Sequence, residues 1–374
     1  MARDLLKEVQ RVVVKIGTTS ITDDSGLVDR EFMDGIARQV RDLRKMGKEV
    51  ILVSSGAIGL GLQIMGVAPK PKEVPLRQAA ASVGQNALMQ EWKTSFDRVG
   101  INIAQILLTY DFYSDRITYL NLRNNISTLL ECGVVPIINE NDALCVHEIQ
   151  AVFGDNDTLS GMVASKMEAD LLIILSDVDG LFDRNPKNHP DARLIPTVKE
   201  ITPEIEAFGG NPTSTKGVGG MKTKIQAAKI CCISGCHMII TNHDLEEVLP
   251  RTMRGEELGT IFVANDKVKG SRTRWILLSN SYGTIRIDPG ARKALGGKGG
   301  LLPSGVIGVR GQFDRGDVVE LECEGEVFAK GITDYSSYEL NRIKGAHTDR
   351  VEAILGYKNY SNIIRRDNLG FMGD

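Results

Sequence analysis

The sequence predicts an α/β protein built on a mainly parallel sheet, with a separate small β-rich domain towards its C-terminus. Three observations carry that expectation. Apolar runs of strand length alternate with segments of helical spacing from Arg11 to Met167. These runs deliver Gly, Ser, Asn or Asp to their carboxyl ends, the edge at which open α/β sheets bind ligands. After Gly270 the pattern changes to short alternating strands, glycine turns and acidic residues.

Arg11 to Ile16 reads as a buried strand carrying one charge, Lys15, and it runs straight into Gly17-Thr18-Thr19-Ser20. Such a turn offers backbone N–H groups to phosphate oxygens while the lysine adds a point charge. A lysine snorkelling from a strand end is an equal reading of these residues alone. The P-loop pattern GxxxxGK[ST] does not occur. Arg30 to Met46 has apolar residues at Phe32, Ile36, Val40 and Leu43, a helical spacing that Gly47 stops. Strand Glu49 to Val53 then leads into Ser54-Ser55-Gly56-Ala57-Ile58-Gly59, a second strand, small-residue turn and helix unit, which makes a parallel sheet the simplest topology. Arg77 to Asp97 is predicted as a long helix, Ile101 to Leu108 as the third strand and Tyr119 to Leu130 as a further helix.

The fourth strand, Val134 to Ile138, is followed by Asn139, Glu140, Asn141 and Asp142. Shortly after it, Gly154-Asp155-Asn156-Asp157 opens a predicted helix, Thr158 to Met167. Asn and Asp are common in turns and caps, but two such clusters, one directly after a buried strand, point to one polar crevice. Amides supply donors and acceptors and carboxylates hold an ammonium or orient a lysine, which suits a zwitterionic small molecule. Leu171 to Leu175 is the next strand, ending at Ser176-Asp177-Val178-Asp179-Gly180, and Asn185 to Pro196, with three prolines, is a loop. Gly209 to Lys224 holds five glycines and lysines 216, 222 and 224 ahead of a predicted helix from Ile225 to Ile233. A flexible solvated loop is the commoner meaning of such a stretch, but with Lys15 it could bring positive charge to a phosphoryl group from two sides.

At 374 residues the chain has room for two domains, and the composition shift places them at 1–264 and 275–374 with a linker at 265–274. Hydrophobic content of 42%, charged content of 25% and a net charge of −3 are those of an ordinary globular protein, and give no global field that recommends nucleic acid or an anionic membrane. The first residues lack the apolar core of a signal peptide, and no apolar run approaches the ~20 residues that span a bilayer, so a cytoplasmic location is expected. Cys231, Cys232, Cys236 and His237 lie close together, but no second Cys pair completes a tetrahedral metal set. Reduced, buried thiols are expected instead.

Eight blocks occur in the order seen in the glutamate 5-kinases of the amino acid kinase family: VVVKIGTTSIT, VSSGAIGLG, RQAAASVGQ, AQILLT, PIINEND, FGDNDTLS, LLIILSDVDGLF and GVGGMKTKIQAA. The tail, with LLPSGV, FDRGDVV and GAHTDRVEAILGY, resembles the PUA domain appended to many bacterial members. The resemblance implies a three-layer αβα sandwich, the amino acid kinase fold, with a PUA-type C-terminal domain. It implies Mg²⁺- and ATP-dependent phosphorylation of the γ-carboxylate of L-glutamate for proline synthesis, feedback inhibition by L-proline, and assembly as a homodimer or homotetramer. Carried over by motif, Ser55, Asn139, Asp142 and Asn156 would hold glutamate. Ser176, Asp177 and the loop Val218, Gly219, Gly220, Met221, Lys222, Thr223 and Lys224 would hold ATP. Lys15 and Lys224 would meet the transferring phosphoryl group, with Asp157 orienting both and Asp155 assisting it. No residue is assigned to a metal directly, the Mg²⁺ being carried by the ATP phosphates.

The chain departs from the family pattern in two places. The segment between Asp142 and Asp155, which includes His147, is about two residues longer and belongs to the region used in proline inhibition; Val218 and Lys222 stand where Thr and Ser are often found. Kinases of aspartate, acetylglutamate, carbamate or uridylate would share the fold, but the INEND and GDND segments favour glutamate. A non-catalytic regulator on the same fold is disfavoured because every matched charged position is present. An RNA-binding role for the tail is disfavoured because residues 275–374 hold thirteen Lys+Arg and thirteen Asp+Glu, a neutral balance.

Overall fold

Six-residue apolar runs make the central strands because they are buried on both faces, as the strands of a helix-covered parallel sheet must be. The computed structural model describes residues 2–22, 27–67, 71, 73–109, 116–144, 156–186, 188–210, 220–264, 273, 276, 277, 279–297, 299–357 and 360–372. Strands β1 (Arg11–Ile16), β2 (Glu49–Ser54), β3 (Ile103–Leu108), β4 (Val135–Glu140), β5 (Leu171–Ser176), β6 (Thr197–Val198), β7 (His237–Asn242) and β8 (Thr260–Phe262) form one sheet. Their order is β3-β4-β2-β1-β5-β7-β8-β6, and every pairing is parallel except β7 with β8. From β1 the chain steps to β2 on one side, and β5 joins β1 on the other. The carboxyl ends of β1 and β5 therefore flank a topological switch point, where doubly wound sheets open a crevice.

Helices cover this sheet: α1 (Thr18–Ile21), α2 (Arg30–Lys45), α3 (Ala57–Ile64), α4 (Val74–Asp97), α5 (Arg116–Glu131), α6 (Asn156–Lys166), α7 (Pro203–Ala207), α8 (Met221–Ile233) and α9 (Val248–Met253). Asp29 caps α2 by accepting from the Phe32 N–H at 2.9 Å, and Met33, Ile36, Ala37, Val40 and Leu43 bury its inner face. The sequence puts Phe32 on that face; here Phe32 is half-buried and Met33 takes the core position. Gly56 precedes α3 with φ +101°, and a Cβ there would lie 2.5 Å from Ile21 Cδ1. Helices α3 and α4 come almost into backbone contact: a Cβ on Gly61 would stand 1.7 Å from the Ala80 carbonyl oxygen, and one on Gly84 1.9 Å from that of Ala57. This contact sets α4 across the carboxyl ends of β2 and β4, with Trp92 fully buried and donating from Nε1 to Ser54 Oγ at 3.0 Å.

Contacts divide the chain into two units, Met1–Val268 and Lys269–Asp374. Of the expected linker, 265–274, only Thr273 is among the described residues. The second unit holds a five-stranded sheet of β9 (Gly283–Ile287), β10 (Val306–Gly311), β11 (Val318–Cys323), β12 (Glu326–Ile332) and β13 (Leu369–Phe371), in the order β10-β9-β11-β12-β13. Its core joins Ile285, Val319 and Leu321 to Tyr335, Leu340 and Ile343. Three short helices, Pro289–Leu295, Ser337–Ile343 and Val351–Leu355, also pack here, where the sequence reading gave only strands and turns. Among the described residues no helix is long and apolar enough to cross a membrane.

The α3–α4 contact generates a paired prediction. Gly84→Ala forces a methyl group into the Ala57 carbonyl and is expected to destabilise by about 3 kcal/mol. Gly35→Ala, in α2 with only Arg38 Nη2 nearby at 3.8 Å, is expected to stabilise by about 0.5–1 kcal/mol. Urea unfolding of both variants beside the wild type reads both signs.

Candidate active site

Asp157 is fully buried in the first turn of α6, and two lysines reach it from different elements. Lys15 Nζ, from β1, lies 2.5 Å from Oδ1, and Lys224 Nζ, from the first turn of α8, lies 2.9 Å from Oδ2. Both ammonium groups are largely buried. Helices α6 and α8 bring the pair together by packing on small residues: a Cβ added at Gly161 would touch Ala227 at 3.1 Å. Burial alone would raise the Asp157 carboxyl pKa, but Lys15 and then Lys224 outweigh it and hold the group well below the usual carboxylate range. The trio carries one net positive charge at neutral pH, at the switch point between β1 and β5.

The one Thr223 hydroxyl proton is shared between two acceptors, the Gly220 carbonyl at 2.7 Å and Asp157 Oδ2 at 3.1 Å, while Oγ1 accepts from the Gly220 N–H at 3.2 Å. This arrangement starts α8 at Met221, a full turn before the Ile225 start read from the sequence. Met221, Lys222, Thr223 and Lys224 are therefore helical; Lys222 is exposed. Asp155, Val218 and Gly219 lie outside the described residues, as do His147 and Cys145.

Next to Asp157, Asn156 joins a chain of amides. Its Nδ2 donates to Ser55 Oγ at 2.6 Å, to the Ser54 carbonyl at 3.1 Å and to Asn139 Oδ1 at 3.1 Å. Asn139 Oδ1 also accepts from the Glu140 N–H at 2.9 Å, and Asn139 Nδ2 donates to Gln85 Oε1 at 2.8 Å. Gln85 in turn lines a cleft of about 300 Å³ at the carboxyl end of β4, together with Ser82, Gln105, Glu140, Asn141 and Asp142. Ser55, Asn139 and Asn156 thus meet directly, Asp142 faces the cleft beyond them, and the relay ends beside the lysine pair. The described lining of the cleft has two carboxylates and no basic side chain.

Ser176 and Asp177 stand at the carboxyl end of β5, with Ser176 Oγ donating to Asp177 Oδ1 at 3.2 Å. The Ser176 carbonyl accepts from both the backbone N–H of His243 at 2.9 Å and His243 Nδ1 at 2.7 Å. Asn242 Nδ2 donates to Asp179 Oδ1 at 2.8 Å, so the end of β7 braces the turn after β5. Sequence reasoning missed Gln85, His243 and the Thr223 link. Gln85 lay inside the RQAAASVGQ block, but nothing local to it announces a partner 54 residues away. Cys231, Cys232 and Cys236 are buried free thiols; burial comes first among the causes that raise Cys231 and push Cys232 up to about 12. His237 Nδ1 accepts from the Ala264 N–H at 3.0 Å, and among the described residues no group of three or more His, Cys, Asp or Glu could hold a metal.

Comparison with known proteins extends these findings. The pattern described as the amino acid kinase family matches residues 10–242, and that of the PUA domain matches residues 283–355. Glutamate 5-kinase of Methanosarcina mazei is 61% identical over 373 residues, which covers 98% of this chain and 97% of that protein. Glutamate 5-kinase of Methanosarcina barkeri is also 61% identical, over 376 residues, 99% of this chain and 98% of that protein. Among solved structures, carbamate kinase from Giardia lamblia bound to AMP-PNP aligns with a TM-score of 0.51 at 20% identity, covering 69% of this chain and all of that one, a likeness of fold.

The buried trio generates a prediction for stability. Asp157→Asn leaves two buried ammonium groups without their anion and is expected to destabilise by about 3 kcal/mol at neutral pH. Because the folded carboxyl is depressed, the ionic contribution is fully present above the unfolded value near ~4 and is lost as pH falls through the folded value. Unfolding free energies of both proteins between pH 8 and pH 3 should run parallel down to about pH 4 and converge below it.

Proposed function

The chain belongs to the amino acid kinase family, among the glutamate 5-kinases, and we propose that it transfers the γ-phosphoryl group of ATP to the γ-carboxylate of L-glutamate. The observation that carries this reading is the buried Lys15–Asp157–Lys224 trio at one end of an amide relay whose other end opens on an acidic cleft. A substrate with an ammonium at one end and a carboxylate at the other matches that polarity. Its ammonium belongs at Glu140 and Asp142, its α-carboxylate among the amides, and its γ-carboxylate near the lysines.

An oxygen of the γ-carboxylate attacks the γ-phosphorus, the bond from that phosphorus to the bridging oxygen breaks, and ADP leaves with the bond's electron pair. The carboxylate is already ionised at pH 7, so the reaction needs no strong general base. Catalysis is alignment and neutralisation of charge between two anions. Lys15 and Lys224 supply fixed positive charge at the transferring group, and Asp157 keeps their ammonium groups at that point. Ser176, Asp177, Val218, Gly219 and the start of α8 receive the nucleotide, and Asp155 assists Asp157. Mg²⁺ carried by the nucleotide's phosphates would supply further neutralisation of charge there.

The same reading makes the product an acyl phosphate committed to proline synthesis in the cytoplasm, with L-proline as feedback inhibitor and a homodimer or homotetramer as the working form. Incubation with ATP, Mg²⁺, L-glutamate and hydroxylamine should yield ADP and γ-glutamyl hydroxamate in equal amounts, and neither product with aspartate or acetylglutamate. ADP formed with a different acceptor would retain the family and change the substrate. Lys15→Ala and Lys224→Ala are each expected to lower kcat about a hundredfold or more; a variant with near-normal turnover would remove that lysine from the mechanism.

A further inference from the structure

One backbone N–H fixes the polarity of the whole amide relay. The Glu140 N–H can only donate, so the Asn139 atom it meets at 2.9 Å must be Oδ1. The opposite side of that amide is then Nδ2, and the Gln85 atom facing it at 2.8 Å must be an acceptor, Oε1. That leaves Gln85 Nε2, a two-proton donor that makes no hydrogen bond within the described residues, on a side chain that lines the cleft. The cleft therefore offers two kinds of polar recognition. Glu140 and Asp142 attract a cation, whereas Gln85 Nε2 donates to an anion or a carbonyl.

We propose that Gln85 reads the α-carboxylate of the bound amino acid through Nε2, and so separates a dicarboxylic amino acid from acceptors that carry only one carboxylate. The inference rests on L-glutamate being the acceptor, and it adds the residue that senses the substrate's second carboxylate. Gln85 is held for this role from both sides. Gly84, its neighbour, presses α4 against α3 so closely that no side chain fits there, and Asn139 locks the amide orientation. Gln85 is half-buried in the free protein, and a donor that bound substrate covers rejects analogues lacking its partner group more strongly than an apolar wall rejects a size mismatch.

The test compares L-glutamate with 4-aminobutanoate, which keeps the ammonium and the reacting carboxylate but lacks the α-carboxylate. Gln85→Glu is the informative variant: it preserves an acceptor oxygen for Asn139 Nδ2 and replaces the donor with an anion. The expected result is a rise in KM for L-glutamate of at least about tenfold, the low end for one hydrogen bond to a charged group. KM for ATP and the melting temperature should hold, and the preference for L-glutamate over 4-aminobutanoate in kcat/KM should shrink by the same factor. Gln85→Met, which lacks both donor and charge, should give a smaller change in the same direction. An unchanged glutamate KM and preference in Gln85→Glu overturns the assignment. So does an equal loss on both acceptors with a lowered melting temperature, which would mark Gln85 as purely structural. A wild-type protein that forms no ADP with L-glutamate sinks the underlying reading instead, a result visible before any substitution is made.

Discussion

A single buried carboxylate holds the site together. Asp157 sits where β1, α6 and α8 converge, and its two oxygens take one lysine each from chain segments some 210 residues apart in sequence. Two ammonium groups buried this deeply need that anion between them, and the anion would be intolerable without them. The fold accepts the arrangement because the helices meeting there are lined with small residues, Gly161 against Ala227, which lets α6 and α8 approach until Asp157 and Lys224 touch. One positive charge is left over, and it lies at the switch point of the sheet, where the turn after Lys15 faces the turn after Ser176.

The relay that leads away from the trio is neutral. Between the charged trio and the acidic cleft stand Ser55, Asn156, Asn139 and Gln85, each bonded to the next. A relay of amides can carry orientation from one end to the other without adding charge beside the lysine pair. Its order is set by a backbone N–H at Glu140, which cannot flip. Asn156, in the relay, and Asp157, in the charged trio, are neighbours in the first turn of α6, so one helix end holds both halves of the site.

The sequence made the frame legible because its strongest signals are local. The buried runs at β1, β2, β4 and β5 and the polar residues at their ends needed no tertiary information, and the ordered blocks drew Lys15, Asp157 and Lys224 into one expectation. What stayed hidden depends on distance. Gln85 reads as an unremarkable helix residue until Gly61 and Gly84 bring α4 over the sheet, and His243 gains meaning only because β7 lies beside β5. The two-residue β6 and three-residue β8 are too short to show a period. The early start of α8 rests on the Thr223 hydroxyl, a cap disguised inside a glycine-rich stretch. In the C-terminal unit the missed helix Ser337–Ile343 did carry a local signal: Ser336 and Glu339 form a capping box, with Glu339 Oε2 accepting from the Ser336 N–H at 2.7 Å.

The most direct test of the central claim is the turnover of Asp157→Asn, measured with saturating ATP, Mg²⁺ and L-glutamate at a temperature where the variant is folded. If Asp157 holds both lysines at the transferring group, kcat falls about a hundredfold or more while the two KM values change far less. A folded variant with near-wild-type kcat would contradict the account, because the lysines would then be shown to find their places without the anion between them.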